Sequence, residues 1–301
     1  MTSSHAVRVR VHTWLVLLIG SLAGLAMFMW PLLTSPPVGT AHSAEAPFIF
    51  VLILPLVIAV VLAELSSGGL DVKAIAMLGL LSGVGAALRP LGAGTAGLET
   101  VFFLLILAGR VYGPGFGFVL GSTTMFASAF LTGGVGPWLP FQMIAASWVG
   151  LGAGLLPRCR SRAEIAILAF YGAVSAYAFG FLVNMWFWPY SIGTFVGTGT
   201  DPGLQFVPGD AVTDNLRRFF GFTLATSTLG WDTGRAITNV VVICTLGAPV
   251  LAALRRARRR VDFYPEVAFE PPVQPAHRSA TCPPGVSSNT PPVLSVQPHG
   301  R

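Results

Sequence analysis

Long apolar runs, separated by short polar or glycine-rich breaks, organise this chain. Runs at 14–33, 47–65, 72–88, 115–132, 137–156, 163–187 and 236–254 each suffice for a bilayer-crossing helix, which takes roughly 17–25 residues. A shorter run, 98–109, is divided from 115–132 by Arg110-Val111-Tyr112-Gly113-Pro114. It reads either as a short span of its own or as half of one bent helix. Charge placement favours the first. With eight spans and the N-terminus inside, the inner loops hold Arg8, Arg10, Lys73, Arg110, Arg158, Arg160, Arg162 and the closing run Arg255, Arg256, Arg258, Arg259 and Arg260. The outer side keeps Arg89, Arg217, Arg218 and Arg235. A single span over 98–132 would put the closing arginines outside, against the positive-inside tendency. The expected fold is an all-α membrane protein of about eight transmembrane helices, multi-pass in the cell membrane, with both termini cytoplasmic.

Composition agrees with that reading. Of 301 residues, 53% are hydrophobic and 10% charged, and the mean hydropathy is +0.71. A water-soluble surface needs about a quarter of its residues charged. The net charge of +6 comes from arginines clustered between apolar runs, with Lys73 the only lysine. Topology selection produces that distribution, so no nucleic-acid partner is expected. Cys159, Cys244 and Cys282 have neither metal-ligand nor disulfide spacing. Ala44-Glu45-Ala46 offers a small-x-small cleavage site, but the apolar stretch before it exceeds the 7–15 residues of a signal core, so a retained anchor is expected. Residues 261–301 carry nine prolines and no apolar run, the composition of a disordered cytoplasmic tail. Segment 189–215, rich in Gly, Pro, Thr and Asp, reads as a long outer loop able to cover what lies beneath it.

Several chemistries lack their residues. There is no Gly-Lys pair for a P-loop. His5, His12, His42, His277 and His299 all lie in the termini or the first outer loop, away from any intramembrane zinc or acid–base site. No Asp-rich pair suggests magnesium-bound diphosphate chemistry, and no cofactor is expected.

Polar and aromatic residues gather instead at the outer ends of the spans. Tyr177, Phe181, Asn184 and Trp188 recur at i, i+4, i+7 and i+11, on one helical face. Trp186, Phe187 and Tyr190 thicken the same region. Trp231, Arg235 and Asn239 follow at i, i+4 and i+8, with Asp232 able to pair with Arg235. Glu99 stands at the outer end of the short span, and Trp138 and Gln142 at that of 137–156. Taken singly, such residues are common as interfacial anchors, helix caps or snorkelling cations. Taken together, Glu99, Asn184 and Arg235 require partners or a water-filled cavity at one depth. The expectation is an outward-facing pocket for a polar, ring-containing solute.

Small residues form a second pattern. Run 72–88 carries Ala76, Gly79, Ser82, Gly83, Ala86 and Ala87, giving small-xxx-small spacing on more than one face. Such a helix packs against more than one partner, another subunit among them. Gly113-Pro114-Gly115-Phe116-Gly117 with Gly121, and Gly133-Gly134-Val135-Gly136-Pro137, read chiefly as close helix packing.

With these motifs, residues 72–254 resemble the substrate-specific S component of an energy-coupling factor (ECF) vitamin transporter. The resemblance rests on helix 72–88, the run Leu107–Gly117 with Gly121, the later Gly-Gly-x-Gly-Pro turn, and Trp231-Asp232-x-x-Arg235-Ala236. It implies a six-helix core at 72–254, preceded by two extra helices within 1–71 and followed by a basic, then Pro-rich tail at 255–301. It also implies a vitamin or related micronutrient as solute, with a transmembrane T subunit and two cytosolic ATPases as partners. The family docks on the T subunit through an Ala-xxx-Ala pattern. Here the nearest matches are Gly79-xxx-Gly83 and Ser82-xxx-Ala86, so Ala76, Gly79, Ser82, Gly83 and Ala86 are the candidate interface. Met185-Trp186-Phe187-Trp188-Pro189-Tyr190 suits a flat or bulky ring, cobalamin ahead of thiamine precursors and flavins. The alternative is an integral membrane enzyme acting on a lipid or isoprenoid, with Glu99 and Asp232 as its acids.

Overall fold

The computed structural model describes residues 11–33, 72–92, 97–157, 159, 162–191 and 202–262, all within one unit, Met1–Phe263. Among them every regular element is a helix. In order come α1 (Val11–Phe28), α2 (Val72–Leu88), α3 (Val101–Tyr112), α4 (Pro114–Thr132), α5 (Leu139–Leu155), α6 (Arg162–Phe187), α7 (Val212–Thr223) and α8 (Thr233–Asp262). A π-helical stretch, Leu224–Asp232, joins α7 to α8, so these elements form one continuous rod from Val212. Six of the predicted runs coincide with helices to within a few residues. The predicted run at 47–65 and the tail beyond 262 lie outside the described residues. The last helix starts far earlier than 236: residues 212–235 are helical, and the expected loop at 189–215 is shortened accordingly, with 3₁₀ turns at Trp188–Ser191 and Pro202–Leu204.

Four helical segments are long and apolar enough to cross a membrane: Lys73–Gly92, Pro114–Thr132, Arg162–Phe187 and Val212–Arg259. Their outward surfaces are oily, with Leu80, Phe130, Phe170, Val174, Ile237, Val241 and Leu246 all exposed. Such faces suit hydrocarbon or an apolar partner rather than water.

The short helix α3 sits at the centre. Its twelve residues rise only about 18 Å, yet Val101 through Gly109 and Val111 are all buried. A helix that is apolar on every side belongs inside a bundle, and burial among its neighbours removes the need to match the bilayer thickness. Gly113, at φ +105°, breaks the chain between α3 and α4. The pair is therefore two helices rather than one bent rod.

Backbone contact between α3, α4 and α5 is unusually close. A Cβ placed on Gly117 would stand 2.3 Å from the Gly150 carbonyl oxygen, one on Gly109 2.2 Å from the same atom, and one on Gly121 2.3 Å from the Ala146 oxygen. The Gly-rich run thus serves helix packing, as its spacing predicts. Helix α1 leans on α5, where Phe28 meets Phe141 edge-on at 5.4 Å and the Trp148 indole donates to Ser21 Oγ at 3.0 Å.

Helix α2 divides its small residues between two faces. Ser82, hydrogen-bonded to Thr123 on α4 at 2.7 Å, and Ala86 point into the bundle. Ala76, Gly79 and Gly83 face outward, with open space around both glycines.

Two polar layers bracket the apolar core. At one end Glu164 on α6 accepts from Arg110 Nε at 2.9 Å and Arg255 Nη2 at 2.6 Å, and Arg110 also donates to the Leu156 carbonyl. At the other end stand Arg89, Glu99, Asp232 and Arg235. Arg235 and Arg255 are twenty residues apart on α8, about 30 Å of helix, which matches the hydrocarbon thickness of a bilayer.

Candidate functional site

A buried cation, Arg235 on the first turn of α8, stands at the hub of a polar cluster. Its guanidinium meets both Glu99 oxygens, Nε to Oε2 at 3.0 Å and Nη2 to Oε1 at 3.1 Å. It also donates to Asp232 Oδ1 at 2.9 Å and to the Ala176 carbonyl at 3.3 Å. Phe179 and Phe102 flank it, with ring centroids 5.0 and 5.5 Å from the guanidinium carbon. This planar cation, paired bidentately and stacked on aromatic faces, uses geometry that lysine cannot reproduce.

Local backbone features hold the cluster together. In the π stretch the widened turn brings residue i opposite i+5, and Ser227 Oγ donates to Asp232 Oδ2 at 2.9 Å across that interval. Such π-helical turns concentrate at functional sites. Gly180 leaves room for the Asp232 carboxylate: a Cβ there would lie 1.9 Å from Oδ1. Gly97, at φ +82°, packs against the Trp231 carbonyl, where a Cβ would stand 2.1 Å away. That contact seats the segment carrying Glu99 against the α7–α8 rod.

Beside the cluster lies a cavity of about 270 Å³. Glu99, Asp232 and Arg235 line it, together with Arg89 and Gln142. Helix α6 contributes Phe179, Gly180, Val183, Asn184 and Phe187, α4 contributes Met125, and Phe222, Thr226, Ser227 and Trp231 come from α7 and the π stretch. Arg89 follows α2 in a 3₁₀ turn and donates to Ser128 Oγ and Gln142 Oε1, both at 2.8 Å. The side-chain nitrogen of Asn184 is buried with no hydrogen-bond partner.

Six of the eleven predicted binding residues come together at this cavity: Glu99, Gln142, Asn184, Trp231, Asp232 and Arg235. Five stand elsewhere. Tyr177 is exposed and its hydroxyl bonds Thr233 Oγ1 at 3.0 Å, tying α6 to α8. Phe181 packs edge-on against Phe219 at 4.9 Å. Trp188 is fully buried with Met185, Phe206, Phe219 and Phe222, its indole donating to the Leu204 carbonyl at 2.9 Å. Trp138 folds back to donate to the Gly134 carbonyl at the start of α5. Asn239 lies one turn further along α8, where its amide nitrogen bonds the Gly172 carbonyl at 3.0 Å.

The cavity-facing side of α6 is thus the 180, 183, 184 and 187 stripe rather than the 177, 181, 184 and 188 stripe. The two share Asn184. The 177–188 series also runs past the end of α6 at Phe187, so the helical register no longer places Trp188. Trp188 and its aromatic neighbours form a small second core, which meets the cavity through Phe222. Asn215 holds it in place by bonding both the N–H and the carbonyl of Val207, at 3.0 and 2.9 Å.

Sequence reasoning missed Arg89, Phe179 and the Thr226–Ser227 pair. Arg89 looked like one more loop arginine. Its position after a helix of small residues, with Ser128 and Gln142 far away in sequence, left no local signal.

Among the described residues no cluster of three His, Cys, Asp or Glu side chains forms a metal-binding group. Aromatic walls with a few placed polar groups are the usual lining of small-molecule pockets. Residues 73–208 match the model of the family described as ECF transporter, substrate-specific component. No curated protein and no solved structure matches the chain.

Proposed function

We propose that this chain, whose residues 73–208 match the model of the ECF transporter substrate-specific component, is the membrane subunit that binds a small, ring-bearing vitamin or related micronutrient for import. The observation that carries the reading is the cavity of about 270 Å³ beside the buried Arg235 cluster, walled by Phe179, Phe187, Phe222 and Trp231. Small-molecule sites run from roughly 300 Å³ upward, so a single or fused ring system suits this one. Cobalamin, the macrocycle favoured on the aromatic run alone, would require the Trp188–Phe219 core to move aside, and the smaller ring vitamins are preferred on that ground.

The proposed binding residues are Glu99, Gln142, Asn184, Trp231, Asp232 and Arg235, joined by Arg89 and Phe179. Tyr177, Phe181, Trp188, Trp138 and Asn239 take supporting roles, tying α6 to α8 or closing the cavity end. Energy for import comes, in this reading, from two cytosolic ATPases coupled through a transmembrane T subunit, and the chain itself catalyses no reaction. The outward face of α2, with Ala76, Gly79 and Gly83, is the proposed T-subunit contact, while Ser82 and Ala86 are engaged with α4. The arginine-rich end with Arg110 and Arg255 faces the cytoplasm, in keeping with the positive-inside tendency, and the cavity faces out.

Membranes containing the chain are expected to retain one member of a panel of labelled vitamins with micromolar or better affinity. Asn184→Leu, which fills the cavity beside a buried polar atom, is expected to weaken retention at least tenfold without lowering the amount of folded protein. Folded protein that retains nothing from the panel would overturn the reading.

A further inference from the structure

The ionisable groups around the cavity balance in number but not in pairing. Glu99 and Asp232 both turn to Arg235, and Ser227 takes the remaining Asp232 oxygen. Arg89 keeps only neutral hydrogen-bond partners among the described residues, Ser128 Oγ and Gln142 Oε1. Glu99 bears on it only through space. Arginine has five N–H donors and no acceptor, so three donors of Arg89 remain uncommitted.

Its neighbours share that character. Because Arg89 can only donate, the side-chain oxygen of Gln142 must face it, which leaves the Gln142 NH₂ as a donor on a cavity-lining residue. The Asn184 NH₂ is buried and unpartnered on the same cavity. The lining carboxylates are therefore committed to Arg235 and Ser227, and the uncommitted donors of the lining belong to Arg89, Gln142 and Asn184.

We infer that the solute carries an oxyanion, a carboxylate or a phosphate, received by Arg89 with the amides of Gln142 and Asn184, while Arg235, already paired with Glu99 and Asp232, is a strut that positions the wall and does not read the ligand's charge. This rests on the solute-binding reading above. A planar guanidinium with free N–H groups is the geometry that either oxyanion recognises, and an unpaired cation in an apolar wall gains most when an anion arrives.

The test uses purified full-length protein in lipid nanodiscs and a small-molecule cell extract split on anion exchange at neutral pH into a retained, acidic fraction and an unretained one. Thermal stabilisation is expected from the retained fraction alone. Phosphatase treatment of that fraction separates the two sources: activity that survives belongs to a carboxylate, and activity that is lost belongs to a phosphate. Arg89→Gln is expected to reduce the response at least tenfold in the concentration needed. Gln142→Glu, nearly isosteric and supplying Arg89 with an internal counter-ion, is expected to do the same while leaving the unliganded protein at least as stable as wild type. Matched probes, nicotinate with nicotinamide and 4-aminobenzoate with 4-aminobenzamide, should show any binding confined to the acids. Stabilisation by the unretained fraction, or an acidic response untouched by both variants, overturns the oxyanion assignment and leaves solute binding standing. Failure of both fractions to stabilise folded protein overturns the solute-binding reading itself.

Discussion

Replacing Arg235 by methionine is expected to destabilise the folded protein by about 3–5 kcal/mol, the cost of breaking a buried ion pair from one side. The side chain of Asp232 is 1% exposed and that of Glu99 27%, so the change leaves Asp232 buried without a counter-ion, held only by Ser227, and strands Glu99 in part. Two further contacts go with the guanidinium, the Ala176 carbonyl and the faces of Phe102 and Phe179. Arg235→Lys should lose less, because the charge stays while the two-pronged contact with Glu99 does not. The triple variant Arg235→Met, Glu99→Gln, Asp232→Asn should recover most of the loss, since neutral partners no longer need the cation. Thermal unfolding in detergent or nanodiscs measures all three. Equal stability of Arg235→Met and wild type would show that the carboxylates are relaxed by water and that the cluster is no strut.

The second large effect belongs to the backbone contact at the heart of the bundle. Gly150→Ala puts a methyl group 2.1 Å from the Gly117 carbonyl oxygen, where neither side is a flexible side chain. Overpacking of a core commonly costs 1–3 kcal/mol, and a backbone-on-backbone clash belongs at the upper end, about 3 kcal/mol. Gly117→Ala should behave alike, at 2.3 Å from the Gly150 oxygen. Gly83→Ala on α2 is the contrast, for its Cβ would meet nothing within 4 Å, and alanine is better than glycine in a helix by up to about 1 kcal/mol. Folded yield and melting temperature of the three variants should therefore divide by position and not by residue type.

The helices were legible in the sequence because each is an apolar run bounded by a polar or glycine break. Even the twelve-residue α3 could be separated from α4, since Gly113-Pro114 marks their junction and arginine placement required the break. The extent of the last helix was not legible. Residues 212–235 contain Asp214, Arg217, Arg218 and Asp232, a polar pattern that resembles a loop until the π stretch is seen to bury Ser227 and Asp232 on one side.

For the site, the pairing of Asp232 with Arg235 followed from their spacing; Glu99 was expected at the same depth, in need of a partner or water, but Arg235 was not named as that partner. The face of α6 was displaced by about one residue, with only Asn184 common to the predicted and observed stripes. Aromatic residues had defined the predicted stripe, but Phe181 and Trp188 are used for packing against Phe219. Glycine and valine, which carry no chemical signal, make the cavity wall at 180 and 183. Arg89 was invisible for a related reason. Its partners Ser128 and Gln142 are thirty-nine and fifty-three residues away, and only the packing of α2, α4 and α5 brings them together.

The central claim is that this membrane chain holds a small solute in the cavity beside Arg235. Native mass spectrometry of the gently purified protein tests it most directly. The account predicts a one-to-one adduct of a single small ring compound, released on activation and much reduced in Asn184→Leu. Folded protein that shows only its own mass, before and after incubation with a small-molecule cell extract, would contradict it.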